Sequence, residues 1–158
     1  NSSFNHITQN DLDFYPSDLQ DEIDEINDEI YININNGVYK TGFATTQSVY
    51  EEEYSKVFAS LDWLEERLTQ RTFLVGDNVT EADWRLFTTL VRFDSVYHGH
   101  FKLNRQKLSE FPELSDYIER LKAVPGVSET INQDHIKAHY YGSHASINPT
   151  GIVPLGPA

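Results

Sequence analysis

Apolar residues recur at helical spacing over most of this chain. The first apolar face has successive steps of four, three, four and four residues and consists of Leu19, Ile23, Ile26, Ile30 and Ile34. This spacing predicts a helix from about Ser17 to about Asn35, with acidic side chains on its other faces. Asn35, Asn36 and Gly37 then predict the end of the helix, because Asn and Gly tolerate the left-handed backbone conformation found where helices stop.

A longer second helix is predicted after Gly42, with Thr45 or Thr46 as its N-cap and an end near Gln70. The residues of its buried face follow helical spacing and are Tyr50, Tyr54, Val57, Phe58, Leu61, Leu64 and Leu68. The face is continuous over several turns, so this helix is expected to be a main wall of the core.

The start of the third helix has the clearest local signal. Asp83 follows Thr80 by three positions, so the Thr80 hydroxyl can accept the Asp83 amide while the Asp83 carboxylate accepts the Thr80 amide. We therefore assign Thr80 and Asp83 to a structural capping box. The helix that follows has apolar residues on more than one side, at Leu86, Phe87, Leu90, Val91 and Phe93. Such a pattern is typical of a helix buried in the middle of a bundle.

Two further helices are predicted, one from about Pro112 to Pro125 and a shorter, more polar one from about Ser128 to Tyr140. From Gly142 onward, repeated Pro and Gly predict an irregular tail that docks onto the helices. The sequence has no alternating strand pattern of useful length. We therefore predict one all-α domain over residues 1–158, a bundle of five or more helices with an irregular C-terminal tail.

Charge and composition narrow the possible partners. The chain has 12 Lys and Arg against 25 Asp and Glu, and its formal charge of −13 argues against binding to nucleic acid or to an anionic membrane surface. It has no Cys, which excludes a disulfide, a thiolate metal site or a cysteine nucleophile within these residues. No apolar run approaches the roughly 18 residues that a membrane-spanning helix needs. A cytoplasmic protein is expected.

Histidines raise the question of a metal site. His135 and His139 lie one helical turn apart and can face the same side, but the Glu of a zinc-protease motif is absent between them. We therefore predict no metal cofactor. His135, His139 and His144 are instead expected to be hydrogen-bonded residues that anchor the C-terminal tail.

Charged residues also lie on or beside the third helix, at Arg85, Arg92 and Asp94. Ionic groups near a buried helix are usually paired. We expect structural salt bridges, with Asp or Glu as the partners of the two arginines.

Several motifs occur in a fixed order along the chain. A Gly76-Asp77 turn leads into Thr80-Glu81-Ala82-Asp83 and an apolar helix, and this combination resembles the C-terminal helical domain of cytosolic glutathione transferases. Further stretches resemble the glutathionyl-hydroquinone reductases, also called the Xi class: residues 35–44 (NNGVYKTGFA), 89–94 (TLVRFD), 96–97 (VY), 100–102 (HFK), 135–136 (HI), 139–140 (HY), 143–144 (SH) and 147–150 (INPT). The resemblance extends from about Tyr15 to Pro157, nearly the whole chain.

This resemblance implies an enzyme built from two halves. Members of the family have an N-terminal thioredoxin-like domain, whose nucleophilic cysteine attacks the thioether sulfur of a glutathionyl-hydroquinone. A second glutathione then resolves the mixed disulfide. Glutathione is thus the implied co-substrate, bound mainly by that other domain. The chain starts at Asn1 rather than Met, so we expect that the thioredoxin-like half is missing from it and that the chain alone is inactive.

The helical half is implied to hold the aromatic part of the substrate. Tyr39 and Tyr140 occupy positions where the family places tyrosines that contact the hydroquinone, and each offers an aromatic face and a phenol donor. Without the resemblance both would be interpreted as core or rim tyrosines, an interpretation that is kept for Tyr97. Leu103 stands where several family members have a cysteine, which does not affect the assignment because that cysteine is not the nucleophile.

The predicted function is thus the aromatic-substrate domain of a glutathionyl-hydroquinone reductase, in a parent enzyme that forms a homodimer. One alternative is a transferase of another class, and a second is a non-catalytic interaction module that uses the same helical domain. The upstream residues distinguish these alternatives. A Cys-Pro motif after a strand favours the reductase, a Ser or Tyr at that place favours another transferase, and the lack of a thioredoxin-like half favours the module.

Overall fold

The chain forms a bundle of helices. The structure is a computed structural model that describes residues 3, 5–8 and 11–156. Within these ranges it has no strand, and its α-helices are α1 (Asn5–Thr8), α2 (Gln20–Glu29), α3 (Gly37–Gly42), α4 (Gln47–Leu68), α5 (Glu81–Arg92), α6 (Pro112–Lys122) and α7 (Gln133–Ser143). The predicted all-α class is confirmed. No helix in the described part of the chain is long and apolar enough to cross a lipid bilayer.

The first long helix does not stop where the sequence pattern suggested. A π-helical segment, Ile30–Asn35, extends α2, and Gly37 then begins α3 after the single residue Asn36. Asn36 has a φ of −85°, so the predicted left-handed stop is wrong. Gly37 serves packing instead, because a Cβ atom at this position would lie 2.9 Å from Val57 Cγ2 of α4. This close approach places α3 against α4.

Helix α4 starts where predicted, since Thr46 is its N-cap and the Thr46 hydroxyl accepts the Val49 amide at 3.4 Å. The predicted apolar face of α4 is buried from Val57 onward, since Val57, Phe58, Leu61, Leu64 and Leu68 are each at most 2% exposed. Tyr50 and Tyr54, which were predicted to belong to it, are only partly buried. The core continues from there through α2, α5 and α6, whose apolar faces are buried in one cluster.

Asp83 lies at the centre of the bundle and is fully buried. Its Oδ2 accepts the Thr80 amide at 2.7 Å and the Thr80 hydroxyl at 2.9 Å, and the geometry is that of a capping box. Its Oδ1 accepts the Leu74 amide at 2.9 Å and the Tyr117 hydroxyl at 2.8 Å. The carboxylate therefore joins the start of α5 to the preceding turn and to α6, and four donors offset its loss of water.

A second π-helical segment, Phe93–Tyr97, extends α5. Asp94 lies in this segment, and its carboxylate accepts the backbone amides of Leu108 and Ser109 at 2.7 and 3.3 Å. These amides open a short 3-10 helix, Leu108–Glu110, and would otherwise lack acceptors. The prediction of a salt bridge at Asp94 is therefore wrong, because its carboxylate accepts hydrogen bonds from the backbone amides at the start of this short helix. Arg85 does form the predicted ion pair, with Glu81 at 2.6 Å.

The irregular tail after α7 is held by polar contacts with the bundle. Lys137, which is 6% exposed, donates from Nζ to the Leu155 carbonyl at 2.9 Å. Asn148 Nδ2 donates to the carbonyls of Tyr141 and Ile152 at 2.8 and 2.9 Å. The docked tail that the sequence predicted is thus confirmed.

Among the residues that the structure describes, one of the three histidines expected to anchor the tail forms a side-chain hydrogen bond, and this is His144. His144 Nδ1 lies 3.1 Å from His100 Nε2. His135 and His139 are exposed, and the ring of His139 packs on the ring of Tyr140. The prediction was wrong for His135 and His139, because α7 turns both residues toward solvent while Lys137 and Tyr140 face inward.

Candidate functional site

A solvent-open cleft of about 720 Å³ lies on the side of the bundle formed by α3, α5, the π-helical segments and α7. Its walls combine aromatic rings with polar and charged side chains: Phe14, Tyr31, Asn35, Asn36, Tyr39, Glu81, Trp84, Arg85, Thr88, Thr89, Arg92, Tyr97 and Tyr140. The cleft has the size and mixed lining of a site for a small aromatic ligand.

Three tyrosine hydroxyls meet at this cleft. Tyr39 comes from α3, Tyr97 from the end of the second π-helical segment and Tyr140 from α7. The Tyr39 and Tyr140 hydroxyl oxygens lie 2.5 Å apart, and those of Tyr97 and Tyr140 lie 2.9 Å apart. The structure therefore brings together the two predicted site residues, which are 101 positions apart in sequence, and adds Tyr97 to them. We call these three residues the tyrosine cluster.

The number of hydroxyl protons indicates which tyrosine donates in each hydrogen bond of the cluster. Its three hydroxyls carry three protons, and the two hydrogen bonds among them use two. Tyr97 is 2% exposed, and its hydroxyl has no partner outside the cluster among the described residues, so an unused proton there would be buried and unpaired. The favoured arrangement has Tyr97 donating to Tyr140 and Tyr140 donating to Tyr39. The Tyr39 proton is then free to point into the cleft, where 39% of this residue is exposed.

Burial raises the pKa of two of these tyrosines, Tyr97 and Tyr140. Desolvation, together with the hydrogen bond to Tyr39, raises the pKa of Tyr140 to about 12. Burial and the hydrogen bond to Tyr140 also raise the pKa of Tyr97 well above its ordinary value. Both residues therefore remain neutral phenols that can pass a hydrogen bond along the chain but do not act as phenolate bases.

Aromatic packing fixes the positions of these tyrosines. The ring of Phe101, which is fully buried, stacks on Tyr97 with centroids 5.3 Å apart and contacts Tyr39 with centroids 5.4 Å apart. His144 packs edge-on against Tyr140 at a centroid distance of 5.5 Å. Aromatic contacts of this kind hold the three tyrosine side chains in fixed positions, so that their hydroxyls are within hydrogen-bond distance before any ligand binds.

Arginine side chains form the charged wall of the cleft. Arg85 is paired with Glu81, whereas Arg92 donates from Nη1 to the Thr88 carbonyl on the preceding turn of α5. Among the described residues, no Asp or Glu lies within salt-bridge distance of Arg92. The prediction that Arg92 pairs with a carboxylate is therefore wrong. The acidic residues of α5 lie in the first turn of the helix, whereas Arg92 is its last residue.

Sequence reasoning missed Tyr97 as a site residue and Arg92 as an unpaired cation. A signal for Tyr97 was present, since a buried Tyr in place of Phe usually has a hydroxyl partner. No signal of that kind existed for Arg92. In the described part of the chain, no group of three or more His, Cys, Asp or Glu side chains is placed to hold a metal ion.

Comparison with known proteins identifies relatives of this chain. The family of glutathione S-transferase C-terminal domains matches residues 47–120. The chain is 56% identical over 158 residues to the glutathionyl-hydroquinone reductase PcpF of Sphingobium chlorophenolicum. This alignment covers 100% of this chain and 50% of PcpF. It is 49% identical over 157 residues to the glutathionyl-hydroquinone reductase YqjG of Escherichia coli K12, covering 99% of this chain and 48% of YqjG.

Solved structures of glutathione transferases have the same fold as this chain. The glutathione-bound structure of YqjG superposes with a TM-score of 0.97 at 49% identity, covering 100% of this chain and 52% of that chain. Glutathione transferase Xi 1 from Trametes versicolor superposes with a TM-score of 0.96 at 48% identity, covering 99% of this chain and 56% of that chain. The chain thus spans about half the length of the curated relatives that it matches.

Proposed function

Because the chain belongs to the glutathione S-transferase C-terminal domain family and is similar over its whole length to glutathionyl-hydroquinone reductases, we propose that it forms the aromatic-substrate half of such a reductase. The observation that carries the proposal is the tyrosine cluster at the cleft. Its favoured hydrogen-bond arrangement leaves the Tyr39 proton available to a ligand. A planar ring with phenolic oxygens matches the aromatic walls and the hydroxyl donor of this site.

The reaction needs a thiolate, which this chain does not contain. In the proposed enzyme, residues 1–158 are the C-terminal domain, and an N-terminal thioredoxin-like domain supplies the cysteine and most of the glutathione site. Attack of the thiolate on the glutathione sulfur forms an S–S bond and breaks the bond between sulfur and the ring carbon. The electron pair stays with the ring, which takes up a proton to give the hydroquinone. A second glutathione then displaces the cysteine and leaves as glutathione disulfide.

The tyrosine cluster acts on the oxygen of the quinol ring. As the carbon–sulfur bond breaks, negative charge develops on the ring and its oxygens, and the Tyr39 hydroxyl donates a hydrogen bond to that oxygen. Tyr140 supports this hydrogen bond by donating to Tyr39, and it donates to the quinol oxygen itself when the ligand displaces Tyr39. Tyr97 strengthens both interactions by donating to Tyr140. The donors are in place before the reaction, so little reorganisation is needed as charge develops.

Two further properties belong to the proposed enzyme: a homodimeric assembly and a cytoplasmic location, where glutathione and reduced thiols are abundant. The upstream sequence of the gene provides the first check. A Cys-Pro motif after a strand in a thioredoxin-like domain agrees with the proposal. A Ser or Tyr at that place would indicate a transferase of another class.

The decisive experiment measures turnover of glutathionyl-hydroquinones by the full-length gene product, with the 158-residue chain as the inactive control. The double variant Tyr39→Phe with Tyr140→Phe is expected to lower kcat/KM by at least about tenfold, because hydrogen bonds to a developing charge are lost. Tyr141→Phe removes a neighbouring hydroxyl outside the cleft and is expected to retain wild-type turnover. Unchanged turnover in a folded double variant would contradict the proposed role of the tyrosine cluster.

A further inference from the structure

Arg92 is an uncompensated cation in an aromatic cleft. The chain as a whole is strongly acidic, with a formal charge of −13, and the other arginine of the cleft, Arg85, is neutralised by Glu81 at 2.6 Å. No carboxylate within the described residues is in salt-bridge range of Arg92. A partly buried guanidinium without an anionic partner is unusual in a protein with a surplus of acids.

The direction of the side chain places this charge in the cleft. Arg92 ends α5, and its Nη1 donates to the carbonyl of Thr88, four residues earlier on the same helix. The side chain therefore folds back along α5, beside the other cleft residues of that helix. That carbonyl uses one Nη1 hydrogen, and the remaining donors of the guanidinium fork are available to a ligand. Arg92 also acts on the tyrosine cluster, since its charge lowers the pKa of Tyr140 against the larger effect of burial.

We infer that Arg92 is a carboxylate-recognition residue, and that the aromatic ligands of this cleft are hydroquinones with an acidic group on the ring. This inference rests on the proposed function, because it assumes an aromatic ligand at the tyrosine cluster. The Tyr39 hydroxyl binds the phenolic oxygen, while the planar guanidinium binds the ring carboxylate through two N–H donors. The same cleft is lined by the aromatic side chains of Tyr31 and Trp84, which offer apolar surface to the ring.

Matched ligands test this inference without requiring turnover. 2,5-Dihydroxybenzoate carries a carboxylate on a hydroquinone ring, and 2,5-dihydroxybenzamide is a neutral analogue of nearly the same shape. Calorimetric titration of the full-length gene product, under reducing conditions and at low ionic strength, is expected to show about five- to tenfold tighter binding of the carboxylate. Arg92→Gln should abolish this preference, and Arg92→Lys should retain part of it. Lys56→Gln, which removes the same charge from the exposed side of α4, should leave it unchanged.

The amide is the internal control for structural damage, because a distorted cleft would weaken both ligands and leave their affinity ratio unchanged. Equal wild-type affinities for the two ligands would overturn the inference and leave the proposed function standing. Failure of both ligands to bind would overturn the proposed aromatic site and the inference with it. Glutathione also carries carboxylates, so its affinity is measured in the same variants. A loss of glutathione affinity in Arg92→Gln with an unchanged ratio between the ring ligands would also overturn the inference.

Discussion

A single hydroxyl separates the role of Tyr97 from that of an ordinary core residue. Its ring is buried and stacked on Phe101, as a Phe would be, but its hydroxyl lies 2.9 Å from that of Tyr140. Because the Tyr97 hydroxyl has no partner outside the tyrosine cluster among the described residues, it sets the direction in which the cluster donates. Its effect on the cleft is therefore exerted through Tyr140 and Tyr39.

The buried carboxylate of Asp83 accepts four hydrogen bonds through two oxygen atoms, so a change of one atom is expected to alter the stability of the fold. In Asp83→Asn, one acceptor oxygen becomes an NH2 group that faces two donors, whichever way the amide is turned. We expect the free energy of unfolding to fall by about 3 kcal/mol or more. Urea denaturation measures this loss.

Asp94→Asn is the matched control for that experiment. Asp94 also accepts two amides, but its residue is only partly buried and water can replace the lost interactions. Its expected loss is about 1 kcal/mol. Equal losses in the two variants would contradict the argument from burial at Asp83.

At the scale of elements, close approaches between helices and neighbouring segments position the cleft. Gly37 allows α3 to pack on α4, and Gly42 at the end of α3 lies against Phe101. Phe101 in turn contacts both Tyr39 and Tyr97. The position of α3 and the geometry of the tyrosine cluster are therefore coupled through one buried ring.

The predicted consequence is that Gly42→Ala destabilises the fold and disturbs the cleft. A Cβ atom at this position would lie 2.2 Å from Phe101 Cγ, so the ring or α3 must shift. We expect a loss of about 1–3 kcal/mol in the free energy of unfolding, the usual range for overpacking. The loss should be accompanied by weaker binding of aromatic ligands in the cleft.

Gly142→Ala, in the last turn of α7, provides the comparison. A Cβ atom there has no neighbour within 4 Å, and helix propensity favours Ala, so stability should be unchanged or rise by up to about 1 kcal/mol. Thermal unfolding of both variants, with ligand titration, checks the pair. Equal stability of the two variants would show that Phe101 adapts freely.

On the scale of the whole molecule, the C-terminal tail meets the segment after α5 through two imidazoles. His144 Nδ1 and His100 Nε2 lie 3.1 Å apart, and His100 is 5% exposed. Burial lowers the pKa of both residues, and the pKa of His100 is lowered further by His144 and Lys102. His139 has the same effect on the pKa of His144. The contact therefore requires that at least one ring is neutral.

Acidification is expected to weaken this contact. A histidine whose pKa is lower in the folded state binds its proton more readily when unfolded, so its contribution is complete above the unfolded pKa of about 6.5 and is lost as pH falls through the folded pKa. Tm should therefore fall between about pH 7.5 and pH 5.5, the range of imidazole titration. His144→Gln should show a smaller fall, while His135→Gln, which alters an exposed ring, should behave as wild type. Identical pH profiles for all three proteins would contradict this account.

Local sequence signals predicted the long helices of this protein. Helical spacing, the Thr46 N-cap and the pairing of Thr80 with Asp83 are local signals, because they depend on residues only a few positions apart. The resemblance further led to Tyr39 and Tyr140. Local signals gave wrong predictions at residues whose contacts lie far away in sequence. Gly37 packs closely against Val57 of α4. Asp94 caps a helix 14 residues away.

Which side chains share the cleft depends on how the helices pack in three dimensions. The tyrosine cluster joins residues from three elements, and its direction depends on the burial of Tyr97. The unpaired state of Arg92 depends on which carboxylates lie within reach in space, a distance that no local pattern encodes. Hydrogen bonds and ion pairs act over a few ångströms, so partners far apart in sequence are chosen by the packing of the helices that carry them.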